Sequence, residues 1–142
     1  MPDDLLPLRL TEPPLPTTAQ PVAPVVLAAR YAIPPAPAYA ALDLGTNNCR
    51  LLIGAPTGSG FRVVDSFSRI VRLGEGLAAT GTLAEPAMDR AIAALSACAE
   101  KLTRRPIRQL QAVATEACRR ATNGAAFLAR VEAETGLRPR II

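Results

Sequence analysis

The chain has 142 residues, a formal charge of +4, three cysteines and no histidine. That length holds one domain of ordinary size. The missing imidazole excludes histidine-based catalysis and histidine-based zinc sites. No run approaches the roughly 18 apolar residues of a membrane span, so no membrane partner is expected. Lys101 is the single lysine and every other cation is arginine; positive charge carried on planar forks suits a polyanionic ligand, phosphate in particular.

Ten of the fourteen prolines lie before Tyr39. Residues 1–38 are therefore expected to form a disordered or extended leader, since proline removes a donor and excludes helix. Asp3, Asp4 and Glu12 argue against a signal or transit peptide, and favour a cytoplasmic tail or an overcalled start codon. The foldable part is then 39–142. Cys49, Cys98 and Cys118 are widely spaced within apolar patterns and read as reduced core thiols, consistent with a cytoplasmic protein.

Tyr39–Leu44 and Cys49–Ala55 read as strands, each nearly continuous in apolar residues, as expected for a sheet covered on both faces. Between them lies the turn G-T-N-N, entered from Asp43. It puts a carboxylate, backbone N–H groups and short polar side chains at one bend. Such a bend can hold a phosphate and its magnesium ion, the N–H groups as an anion nest and the carboxylate ordering the metal's water shell. Asp43 could instead merely stabilise its own turn.

Pro56–Gly60 predicts a hairpin turn, and Phe61–Leu73 a third strand, completing an antiparallel meander. Leu73–Gly81 reads as a loop. Thr82-Leu83-Ala84-Glu85 matches a capping box, with Pro86 in the first turn of the helix that follows. That helix carries an apolar stripe at Met88, Ile92, Leu95, Cys98, Ala99 and Leu102, and ends near Arg104-Arg105-Pro106. Leu110–Ala114 reads as a fourth strand. Thr115 caps a short helical turn through Arg120, Asn123 caps a second helical segment ending near Gly136, and Arg138–Ile142 begins a fifth strand. The fold class is α/β with a mixed sheet, in the order β-β-β-α-β-α-β.

With D-x-G-T-N at its first turn, this order resembles one lobe of the actin, sugar-kinase and Hsp70 superfamily, a ribonuclease H-like (actin-like ATPase) fold. Three blocks narrow the resemblance: A-L-D-L-G-T-N-N-C-R-L-L-I at 41–53, V-R-L-G-E-G-L at 71–77 and V-A-T-E-A-C-R-R-A-T-N-G-A-A-F-L at 113–128. Together they resemble the exopolyphosphatase/guanosine pentaphosphate phosphatase (Ppx/GppA) family. The third block is the discriminating one, because the first is shared with sugar kinases.

The resemblance implies hydrolysis of a phosphoanhydride bond, releasing the terminal phosphate of inorganic polyphosphate or the 5′ phosphate of guanosine pentaphosphate. It implies Mg2+ as cofactor, no nucleic-acid partner, and an intact protein for which a homodimer is open. On it, Asp43 organises the metal, Gly45, Thr46, Asn47 and Asn48 form the first phosphate loop, and Arg50 and Arg119 clamp the phosphate chain. Arg50 lies in an apolar strand, where a buried guanidinium needs an anion. Of the adjacent Arg119 and Arg120, one is expected to face the site and the other water. Glu116 reads as a structural residue of the turn rather than a base. The family's base glutamate, second phosphate loop and second lobe would lie after Ile142, so the sheet is expected to be incomplete at the C-terminus and the chain inactive alone. Two rivals remain: a superfamily small-molecule kinase, and a non-catalytic module that binds a phosphate chain or alarmone.

Overall fold

The alternation of side chains along Ala38–Leu44 and Asn48–Thr57 decides how the chain folds. A computed structural model describes residues 36–142. Ala38, Ala40, Leu42 and Leu44 in the first strand (β1, Ala38–Leu44) are buried, as are Cys49, Leu51, Ile53 and Ala55 in the second (β2, Asn48–Thr57). Their partners in register, Leu42 opposite Leu51 and Leu44 opposite Cys49, put these residues on one face. A tight turn at Gly58-Ser59 leads to β3 (Gly60–Ile70), antiparallel to β2.

The remaining elements are α1 (Leu77–Thr80), α2 (Glu85–Thr103), β4 (Ile107–Ala114), α3 (Glu116–Arg120), α4 (Gly124–Thr135) and β5 (Arg140–Ile141). The five strands form one mixed sheet in the order β3-β2-β1-β4-β5, with β4 parallel to β1 and β5 parallel to β4. The α/β class and the β-β-β-α-β-α-β order expected from the sequence are present, except that the segment read as a loop at Leu73–Gly81 contains the short helix α1. Expectations for residues 1–35 lie outside the described residues. Residue 38, assigned to the leader, already pairs as the first residue of β1.

All the helices supply residues to a core on a single face of the sheet. The stripe on α2 is wider than its large residues suggest: Ala87, Ala91 and Ala94 are buried beside Met88, Ile92, Leu95 and Cys98. These alanines let the helix lie close to the sheet, and each large side chain fully buried there contributes about 1.5–3 kcal/mol. Phe127 and Val131 of α4 are buried in the same cluster. The close approach of α3 to α4 requires Gly124, where a Cβ would collide with the carbonyl of Cys118. Arg130 of α4 ties this layer together from outside, reaching Glu85 and Asp89 of α2 and Glu134 of its own helix.

The structure corrects several local expectations. The sheet is not covered on both faces: among the described residues nothing packs on the side of Tyr39, Ala41, Asp43, Arg50 and Leu52, and Tyr39 and Leu52 are 41% and 40% exposed. The capping box does not form. The N-cap of α2 is Ala84, two residues after Thr82, whose hydroxyl bonds the Thr80 hydroxyl at 3.2 Å instead. Asn123 occupies the N-cap of α4 but makes no capping bond. Its amide accepts from the Leu83 N–H at 2.8 Å and donates to the Leu83 carbonyl at 3.0 Å. Finally, β3 stops at Ile70 because the N–H groups of Val71 and Arg72 turn to the carbonyl of Asn47, at 2.8 and 3.1 Å.

Candidate phosphate site at the first turn

The β1–β2 turn closes with a single backbone bond, from the Gly45 N–H to the Asn48 carbonyl at 2.9 Å. The N–H groups of Thr46 and Asn47 donate to no acceptor among the described residues, so two adjacent backbone donors are free at the bend. The carbonyls of the same residues are occupied. Thr46 accepts from the Gly74 N–H at 3.0 Å, and Asn47 accepts from Val71 and Arg72. With its acceptors tied down and its donors free, the turn favours an anion.

Loop 71–76 braces the bend from behind. Gly74 lies against Thr46, where a Cβ would run into the threonine methyl. Arg90 of α2 in turn holds the loop, donating from Nε to the Val71 carbonyl at 2.9 Å and from Nη2 to the Glu75 carboxylate at 2.6 Å. Thr115 joins β4 to the same edge, its N–H and hydroxyl bonding the Leu44 carbonyl at 3.1 and 3.4 Å. Its hydroxyl is therefore not a helix cap. The sequence shows residues 74–76 only as a loop and gives Arg90 no distinguishing mark. Val71 and Leu73 are buried on either side of exposed Arg72, an alternation that the residues alone read as continued strand.

Asp43 and Arg50 are partners in register, and the same row continues to Val113 on β4 and Ser68 on β3. The row lies on the uncovered face, where a concavity of about 520 Å3 is lined by Asp43, Arg50, Leu52, Phe67 and Gln111 among others. Oδ1 of Asp43 is buried without a hydrogen-bond partner among the described residues. Arg50 is exposed, so the expected cost of burying its guanidinium does not arise. It is available to an anion by position rather than forced onto one. Asp43 and Arg50 form no ion pair with each other.

Arg119 and Arg120 leave α3 in different directions. Arg119 donates from Nη1 to the Ile142 carbonyl at 2.7 Å, beside β5. Arg120 lies with Thr46, Gly74 and Glu116 around a smaller concavity of about 110 Å3, and its Nη1 meets Glu116 Oε1 at 3.0 Å. Thus Asp43, the turn 45–48 and Arg50 stand together at the carboxyl end of β1. Arg119 reaches the same edge of the sheet through β4, but its guanidinium is engaged with β5.

Residues 53–142 match the Ppx/GppA phosphatase family. Among solved structures, the chain is similar to the Aquifex aeolicus Ppx/GppA phosphatase, with 32% identity and a TM-score of 0.71 over 75% of this chain and 35% of that one. It is also similar to an exopolyphosphatase-like protein, at 35% identity and a TM-score of 0.69, covering 74% of this chain and 32% of that one. An exopolyphosphatase from Cytophaga hutchinsonii is 27% identical with a TM-score of 0.70, over 74% and 34% of the two chains. The chain thus spans about a third of the length of these structures.

Proposed function

The chain belongs to the Ppx/GppA phosphatase family, and from that premise we propose that its first turn is the phosphate-binding edge of a phosphoanhydride hydrolase. The substrate class is a linear phosphate chain, either inorganic polyphosphate losing its terminal phosphate or guanosine pentaphosphate losing its 5′ phosphate. One observation carries this reading: among the described residues, the N–H groups of Thr46 and Asn47 are free close in sequence to a carboxylate, Asp43, whose Oδ1 is buried without a partner.

The chemistry of these groups is complementary. The two amides and the short polar side chains of Thr46, Asn47 and Asn48 take the phosphoryl oxygens, and Gly45 permits the bend. Arg50, one position along the row from Asp43, supplies a planar fork to the chain's charge. Asp43 cannot accept a phosphate oxygen directly, because both are anionic. Its unpartnered Oδ1 suits a Mg2+ ion, which is commonly held by one or two carboxylates together with substrate phosphates. When bound, Mg2+ would neutralise charge on the phosphates at this edge. Residues of this chain hold and orient; fixed donors that need no reorganisation are worth most where charge develops. Arg119 is proposed as a further clamp through its place at the same edge.

The test is a 1H–15N titration with tripolyphosphate and Mg2+. The expected result is a shift of the Thr46 and Asn47 amides that needs Mg2+ and is weakened at least tenfold in Asp43→Asn with no change in unfolding midpoint. Unmoved amides, or an Asp43→Asn affinity equal to wild type, would overturn the assignment. Phosphate release by the full-length gene product then decides between polyphosphate and guanosine pentaphosphate.

A further inference from the structure

We infer that Arg120, held by Glu116, forms a second phosphoryl subsite next to the turn, an assignment that rests on the phosphate role proposed for that turn. The concavity of about 110 Å3 between the turn, α1 and α3 is lined by Thr46, Gly74, Leu77, Glu116 and Arg120. That is several times the roughly 30 Å3 share of a water molecule. Thr46 therefore belongs to both places: its N–H is one of the two free donors of the turn, and its side chain forms a wall of the smaller hollow.

Arginine 120 is positioned but not used up. Only Nη1 is engaged, on Glu116 Oε1 at 3.0 Å, and the pair is more than half exposed on both sides. Nε and Nη2 make no hydrogen bond among the described residues. A guanidinium carries five N–H donors in a fixed fork, so one edge can stay on Glu116 while the other takes phosphoryl oxygens. An exposed ion pair of this kind contributes little to stability. Its effect here is to hold one rotamer of a long side chain at the hollow that Thr46 also lines.

The ligand is the phosphoryl group adjoining the one on the turn, so the subsite acts on chains and not on single phosphates. Glu116 sets the affinity: it orients Arg120 but also repels the ligand. Arg120 is a specificity residue for chain length.

The experiment measures the affinities of orthophosphate and tripolyphosphate by 1H–15N titration of the Thr46 and Asn47 amides, in wild type, Arg120→Gln, Arg120→Lys and Glu116→Gln. Arg120→Gln is expected to weaken tripolyphosphate about tenfold while leaving orthophosphate within twofold. Arg120→Lys, which keeps the charge but loses the fork, falls between. Glu116→Gln should bind tripolyphosphate more tightly. Unchanged tripolyphosphate affinity in Arg120→Gln, with the turn amides still shifting, overturns the subsite and leaves the turn intact. Equal losses for both ligands also overturn it, because Arg120 would then act on the turn itself. No shift at Thr46 or Asn47 in wild type removes both assignments.

Discussion

Gly74 lies directly against Thr46, and a Cβ at this position would have to displace the threonine methyl. Its N–H bonds the Thr46 carbonyl at 3.0 Å, while the place a Cβ would occupy is filled by the threonine methyl. The contact couples loop 71–76 to the turn, whose Thr46 and Asn47 amides have no acceptor among the described residues.

Gly74→Ala should therefore move the amide resonances of residues 46–48 and cost about 1–3 kcal/mol in stability, as overpacking does. Gly76 makes the control. Its φ of 76° favours glycine, but a Cβ there meets nothing. Gly76→Ala should cost roughly 1–2 kcal/mol through backbone strain while leaving the amides of 46–48 in place. If both variants shifted those amides equally, Gly74 would not be the brace.

Asn123 offers a second test. Its amide spans the N–H and carbonyl of Leu83, joining the start of α4 to the approach to α2. Asn123→Ala leaves two partly buried backbone groups without partners, a loss of about 1–3 kcal/mol. Asn123→Asp keeps the acceptor and loses the donor, and should fall between. Chemical denaturation with an unchanged slope gives the values. A loss in Asn123→Ala below about 0.5 kcal/mol would mean that water replaces the amide.

Much of this fold was legible in the residues. The runs 39–44 and 49–55 are apolar enough to be strands, and a turn closing at Gly45 and Asn48 puts Asp43 opposite Arg50 by counting alone. The uncovered face was not legible, because Ala41 and Leu52 are apolar and make one-sided strands resemble two-sided ones. The capping box failed for a long-range reason: Asn123, 40 residues away, fixes Leu83 and moves the helix start to Ala84. The brace at 71–76 was invisible for the same cause, since only the fold brings Val71 and Gly74 to the turn. Nor could chain order separate Arg119 from Arg120; their two directions depend on what α3 packs against.

The thiols give a pH prediction. Burial pushes the Cys118 thiol up to about 11, from an ordinary 9.0. Cys49 is pushed up as well, first by its contact with the Cys98 sulfur at 4.0 Å and then by burial. A group with a raised folded pKa contributes stability that is full below its unfolded pKa and is lost as pH rises through the folded one. Stability should therefore fall between about pH 9 and 11, with Cys118 accounting for up to about 2–3 kcal/mol of it. Denaturation across that range checks this: Cys118→Ala should flatten the fall. At pH 8, a thiol reagent should find no fast-reacting cysteine in the native protein and three in the unfolded one. One fast thiol before unfolding would contradict the burial.

Arg50 separates binding from folding most cleanly. The sequence pattern suggests a guanidinium sealed in a strand, in which case its removal would disturb stability and ligand affinity together. In the structure it is exposed on the uncovered face, opposite Asp43 and free of ion pairs among the described residues. Substitutions at such positions usually stay within about 0.5 kcal/mol, so Arg50→Gln should leave the unfolding midpoint almost unmoved. Its effect on tripolyphosphate with Mg2+ should be about a tenfold loss, the scale of one charged hydrogen-bonding group. Arg119→Gln is expected to behave differently. Its guanidinium holds the Ile142 carbonyl beside β5 at 2.7 Å, so the change should first appear in hydrogen exchange at Ile142, whose N–H bonds Ala114. Titration, denaturation and exchange on these two variants give six readings. A stability loss above about 1 kcal/mol in Arg50→Gln with unchanged affinity would make Arg50 a structural residue of the sheet. The proposed clamp would then have to be drawn from the turn and α3 alone.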